Sequence, residues 1–135
     1  MKKNLIKLIA GLFTIVLFAF ATKTLNQQPQ PWVVPAADAA KINPALADDA
    51  SKTKGKELYK QHCLSCHGTT GKGDGPKAAQ LDTESGDFTS ATFKKETDGT
   101  MYYQIKKGRK DMPSYATKIP ADDIWDVVNY IKGMH

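Results

Sequence analysis

The chain has 135 residues, 41% of them hydrophobic and 24% charged, with a formal net charge of +5. That length holds one small domain plus targeting or linker sequence and excludes a second full domain. Lys2, Lys3 and Lys7 account for three of the 19 basic residues; setting them aside leaves 16 against 14 acidic, a balance of +2 that is too weak to argue for nucleic acid, and none is expected as a partner.

Residues 8–21 are apolar except for Gly11 and Thr14, follow the leading lysines and end in Ala19-Phe20-Ala21. This is the architecture of an export signal, with small residues at the −3 and −1 positions of a cleavage site after Ala21. The alternative is an uncleaved anchor, because residues 5–22 approach the roughly 17 to 25 residues that span a bilayer, although Lys7 interrupts them. The expected organisation is therefore a leader over 1–21, a Pro/Ala-rich linker or strap over 22–50, and a domain over 51–135.

The linker contains "NQQPQPWVVPAADAAKINP", whose prolines at 29, 31, 35 and 44 rule out a long helix. Trp32-Val33-Val34 is an apolar island in it, expected to dock as a strap on the domain. From Ser51 the pattern turns helical: Gly55, Tyr59 and Cys63 share one face, and the glycine invites a close helix crossing. "GTTGKGDG" over 68–75 is loop, and Pro76 is expected to open a short helical turn, "PKAAQL". After a further loop, "DGTMYYQIKKG" predicts a helix of about two turns with Met101 and Ile105 inward and Gly108 as its stop. The last helix has the strongest pattern, with Ile124, Val127, Val128 and Ile131 on one stripe, Asp122 and Asp123 in its first turn and Lys132-Gly133 at its end. The class is all-α with long loops. Short helices over so few residues bury little apolar area, so a large bound prosthetic group would relieve a stability problem.

Cys63-Leu64-Ser65-Cys66-His67 has the Cys-x-x-Cys-His spacing of covalent c-type haem attachment. The two thiols add to the two porphyrin vinyl groups, and His67 is carried beneath the iron as proximal ligand. Two other readings compete. A structural zinc site needs about four ligands, and beyond this cluster the chain offers only His62 and His135. A Cys63–Cys66 redox disulfide lacks the alternating strands and helices of a thioredoxin-like fold.

The distal ligand comes from Met101, Met112, Met134, His62 or His135. Met101 lies on an inward helix stripe, His62 adjoins the attachment loop, and Met134 and His135 lie at a chain end. Met112 is favoured, because it sits in the loop "GRKDMPSY" with Pro113 keeping it out of helical geometry; a packed loop methionine is the alternative.

"GKELYKQHCLSCHG", "GKGDGP", "GRKDMPSY" and "IWDVVNYIKG", in that order, resemble the small class I c-type cytochromes over about residues 52–134. The resemblance implies a cytochrome c fold, three to five short helices with long loops wrapped around one haem c bound covalently through Cys63 and Cys66. It implies Gly55 and Tyr59 packed across Tyr130, and a Pro76 carbonyl accepting the proximal imidazole N–H, a bond that orients the ring. Trp125 and Arg109 are candidates for the propionate environment. The residues expected around the cofactor are thus Cys63, Cys66, His67, Met112, Pro76, Tyr59 and Trp125, with His67 and Met112 on the iron.

Such ligation suits one-electron transfer between exported or membrane redox proteins, with a membrane respiratory complex or a periplasmic reductase or oxidase as partner. Membrane contact follows only if the leader is retained. A tethered subunit of a respiratory or dehydrogenase complex, and a haem enzyme or gas-binding protein with labile Met112, remain open. Lys106, Lys107, Arg109 and Lys110 form either a solvated face or a docking patch for an acidic partner.

Overall fold

A computed structural model describes residues 31–134 of the chain; the expected leader over 1–21, the start of the linker and His135 lie outside the described residues. Five helices follow in order: α1 (Ala36–Ala39), α2 (Asp49–His62), α3 (Leu64–His67), α4 (Asp98–Lys107) and α5 (Ala121–Lys132). Two 3₁₀ turns, Ala78–Gln80 and Phe93–Lys95, punctuate the long segment between α3 and α4. Among the described residues there is no strand, only an isolated antiparallel bridge between Arg109 and Met112. None of these helices is long and apolar enough to cross a membrane.

Local chemistry sets the helix ends. The Asp48 carboxylate accepts from the Ser51 amide at 2.8 Å and so starts α2 two residues before the expected point. Thr97 caps α4 in the same way, accepting from the Thr100 amide at 3.1 Å. Gly108 ends α4 with φ +67°, a conformation that disfavours any side chain. Pro76 opens a turn as expected, closed by the Ala78 amide donating to the Gly75 carbonyl at 2.8 Å, and the 3₁₀ turn Ala78–Gln80 follows it.

The core forms where α2 and α4 pack on α5. Ile124, Val127, Val128 and Ile131 of α5 are at most 3% exposed, as the apolar stripe requires, and Met101 and Ile105 of α4 are buried beside them. A Cβ on Gly55 would lie 2.0 Å from the Asp126 carbonyl oxygen and 2.9 Å from Tyr130 Cβ, so α2 meets α5 nearly backbone to backbone. One turn on, the Tyr59 ring packs against Tyr130 with centroids 5.3 Å apart.

The segment before α2 lies along the domain through polar contacts. Thr97 Oγ1 donates to the Ala39 carbonyl at 2.6 Å, and Gly99 meets the Asp38 carbonyl so closely that a Cβ would fall 2.2 Å from its oxygen. Asn129 of α5 accepts from Asn43 Nδ2 at 2.8 Å and donates to Ser51 Oγ at 2.8 Å and the Leu46 carbonyl at 3.2 Å. Of the apolar island over 32–34, Val33 is exposed whereas Trp32 and Val34 are half-buried, and Ile42 and Leu46 further along are exposed. The backbone here is pinned by amides and carbonyls.

Candidate haem-binding site

The attachment motif occupies the junction of α2 and the single turn α3. Cys63 caps both, its thiol buried and that of Cys66 half-buried, and the two are not bonded to each other. The glycine-rich loop then folds back beneath α3. Lys77, Gly75 and Gly73 amides donate to the carbonyls of Ser65, Cys66 and His67 at 2.8, 3.1 and 3.0 Å. A side chain at position 75 would strike this backbone, with the Ser65 oxygen 2.5 Å from a Cβ.

Two buried tyrosines hold the motif from either end. The Tyr115 hydroxyl donates to the carbonyl of His62, just before Cys63, at 2.7 Å, and the Tyr59 hydroxyl donates to that of Gly68, just after His67, at 2.6 Å. Burial raises both phenols; Tyr115 is pushed up to about 12, with the neighbouring cysteine charges a lesser cause. Burial likewise pushes the Cys63 thiol up to about 12, so it is held as S–H, the form that adds across a vinyl group.

The His67 imidazole stacks on Phe88, centroids 4.6 Å apart and planes 22° apart. Burial lowers it to about 4, against an opposing pull from the Ser85 backbone, so the ring is neutral at ordinary pH. Its Nδ1 is buried and no acceptor meets hydrogen-bond geometry there. The bond to the Pro76 carbonyl implied by the family resemblance is therefore not made, and Pro76 itself is exposed, between residues whose amides bind α3. A neutral, half-buried imidazole whose buried Nδ1 has no partner, next to two free thiols at this spacing, fits covalent haem with a proximal histidine.

Met112 is half-buried against the core and lies in a tight turn, with the Arg109 amide donating to its carbonyl at 2.8 Å and its own amide donating to the Arg109 carbonyl at 3.0 Å. Lys110, at φ +53°, gives the turn its left-handed residue. The other candidate ligands are engaged elsewhere. Met101 is buried in the α4 core, and His62 packs edge-on against Tyr115. A Cβ on Gly71 would meet Met134 Sδ at 2.8 Å and the Phe88 ring at 3.0 Å, which puts Met134 on the His67 side. Trp125 is buried under Tyr102, stacked at 4.0 Å, and Tyr59 spends its hydroxyl on backbone. Among the described residues no three His, Cys, Asp or Glu side chains group as metal ligands.

Phe88 and Tyr115 are the residues that sequence reasoning missed. Tyr115 stood inside the quoted "GRKDMPSY", three positions after Met112, and the presence of an aromatic there was the available signal. Phe88 lies in a loop without periodicity and offered none.

The family described as cytochrome C oxidase, cbb3-type, subunit III matches residues 50–131. The chain belongs to that family. It is a c-type cytochrome with covalently bound haem c, attached through Cys63 and Cys66. Among solved structures the cytochrome is similar to a chain of the Kuenenia stuttgartiensis reducing HAO-like protein complex Kustc0457/Kustc0458, at 26% identity and a TM-score of 0.63. That match covers 81% of the cytochrome and 52% of the other chain, so the matched region spans about half the relative's length. No curated protein matches the cytochrome.

Proposed function

We propose that the cytochrome is a one-electron carrier whose haem iron is held by His67 and Met112, and that it is not itself an enzyme. The observation that carries this reading is the presentation of Met112 from a hydrogen-bonded turn while the other described methionines are packed elsewhere. When bound, haem would supply a ferric/ferrous couple, and His67 and Met112 would hold its iron without having to move between the two states, which keeps reorganisation small. The chain contributes the fixed frame: Tyr59 and Tyr115 clamp the attachment motif, and Phe88 sets the plane of His67.

The leader-like sequence over 1–21 supports an exported protein, free in the periplasm or anchored to the membrane facing it, with redox proteins as partners. A second reading, a dedicated subunit of a larger redox assembly, is favoured by the similarity to a chain of a HAO-like protein complex. N-terminal sequencing of the exported protein, and its migration alone or with partners on native gels, separates the two.

Absorption spectra of the ferric and ferrous holoprotein, with and without CO, test the ligation. A low-spin spectrum with the weak red band of methionine-to-iron ligation and no response to CO is the expected result. A high-spin or CO-responsive spectrum overturns it and turns attention to gas binding or catalysis.

A further inference from the structure

The turn that carries Met112 is fastened to the opposite flank of the site. Asp111 Oδ2 accepts from the Thr83 amide at 2.9 Å and from Thr83 Oγ1 at 2.7 Å. Both ends of the turn are otherwise fixed to α4: the Gly108 amide donates to Gln104, Ser114 Oγ donates to the Lys106 carbonyl at 2.7 Å, and the Tyr115 amide donates to Ile105. Asp111 carries the tip of the turn across to residues 81–88.

That segment also packs on the proximal histidine. Phe88 stacks on the His67 ring and donates its amide to the Gly71 carbonyl at 2.7 Å. Gly86 lies so close to Gly73 that a Cβ on the latter would sit 2.6 Å from the Gly86 oxygen. One stretch of chain therefore touches the proximal ligand at one end and the distal loop at the other, and Thr83–Asp111 is the joint between them.

We propose that Thr83 and Asp111 form a latch that holds Met112 at the iron, acting as positioning residues through the Arg109–Met112 turn. This rests on the reading of Met112 as distal ligand. A carboxylate bonded to an amide and a hydroxyl at once is a charge-assisted pair, stronger than two neutral contacts. It closes a local opening motion in which the tip of the turn would swing away from residues 81–88 and take Met112 with it. The adjacency of Asp111 to Met112 makes the coupling direct, since a shift of one residue moves its neighbour's backbone.

The test uses the full-length ferric holoprotein and imidazole as a competing sixth ligand. Asp111→Ala is expected to bind imidazole about tenfold faster than the parent and to weaken the methionine-to-iron band; Thr83→Val, which keeps one of the two bonds, is expected to show about threefold. The double variant should add nothing beyond Asp111→Ala, and Thr83→Ser should behave as the parent. If Asp111→Ala fails to mature, Thr83→Val and Thr83→Ser carry the comparison. Imidazole rates within twofold of the parent, with the band intact in Thr83→Val and Asp111→Ala, overturn the latch and leave Met112 ligation standing. A parent that lacks the band, and whose spectrum Met112→Ala leaves unchanged, overturns both.

Discussion

The Tyr115 hydroxyl donates to the carbonyl of His62, 2.7 Å away, and so joins the segment just after Met112 to the residue that precedes the first attachment cysteine. Tyr59 does the same for Gly68 at the other end of the motif. Removing either hydroxyl leaves a carbonyl without its partner while the ring stays in the core. Tyr115→Phe and Tyr59→Phe should each cost about 1 kcal/mol, a fall of roughly 4–8 °C in Tm for a domain of this size. Thermal unfolding of the ferric holoprotein checks this, and unchanged Tm in both would show that the clamps contribute nothing.

The same tyrosine sets an alkaline limit. Burial raises the Tyr115 phenol to about 12 from an ordinary value of 10.0. Its neutral form is favoured in the fold, so its stabilising contribution is complete below pH 10 and is lost as pH rises through about 12. Stability measured in denaturant between pH 9 and 12 should fall more steeply in the parent than in Tyr115→Phe. Parallel curves would show that Tyr115 does not titrate with unfolding.

Where a periodic pattern met a packed face, the sequence was sufficient. The stripe of Ile124, Val127, Val128 and Ile131 named the buried side of α5, and Gly55 named the crossing. The attachment motif was equally legible, because its spacing is dictated by the cofactor. Contacts between loops were not. Nothing local in "LDTESGDF" announces that Thr83 bonds Asp111 or that Phe88 lies on His67, since such pairs are set by where two irregular segments meet. The polar anchoring of residues 38–46 is illegible for a related reason: Asn43 and Asn129 bond across more than eighty residues of chain.

Gly55→Ala tests the helix crossing. The added Cβ would stand 2.0 Å from a backbone oxygen of α5, so neither partner can yield by a rotamer change and the helices must part. Overpacking of this kind costs about 1–3 kcal/mol, offset only in part by alanine's better helix propensity. The expected result is a lower midpoint in denaturant. A midpoint equal to or above the parent's would mean that α2 and α5 do not touch at Gly55 in solution.

Glu96 supplies a second pH signature. Burial raises its carboxyl above the ordinary 4.5, with a Gln104 hydrogen bond pulling the other way, and its Oε2 is buried without a partner. The protonated form is the one the fold favours. Its stabilising contribution is therefore full below pH 4.5 and is lost as pH rises through the raised value, leaving the ionised group a burden at neutral pH. Glu96→Gln should be more stable than the parent at pH 7 and nearly equal to it at pH 4. A stability difference that does not change with pH would rule this out.

The basic run beside Met112 makes the last prediction. Among the ion pairs of the described residues, Lys41, Lys54, Lys60 and Lys132 are each matched to a carboxylate, whereas Lys106, Lys107 and Lys110 are not. Lys106 instead lies 5.5 Å above the Tyr102 ring. With Lys41 and Lys107 it borders a cavity of about 460 Å³ whose wall includes Tyr102 and Tyr103. Positive charge outside any ion pair, clustered next to the Met112 loop, raises the encounter rate with an acidic partner and loses that advantage as salt screens it. Charge reversal at Lys106, Lys107 and Lys110 should slow reduction by an acidic redox protein about tenfold at low ionic strength and flatten the salt dependence. Reversal at Lys52, an exposed residue in the first turn of α2, should change neither. An unchanged rate in the triple variant would remove the docking role and leave the run as a solvated face.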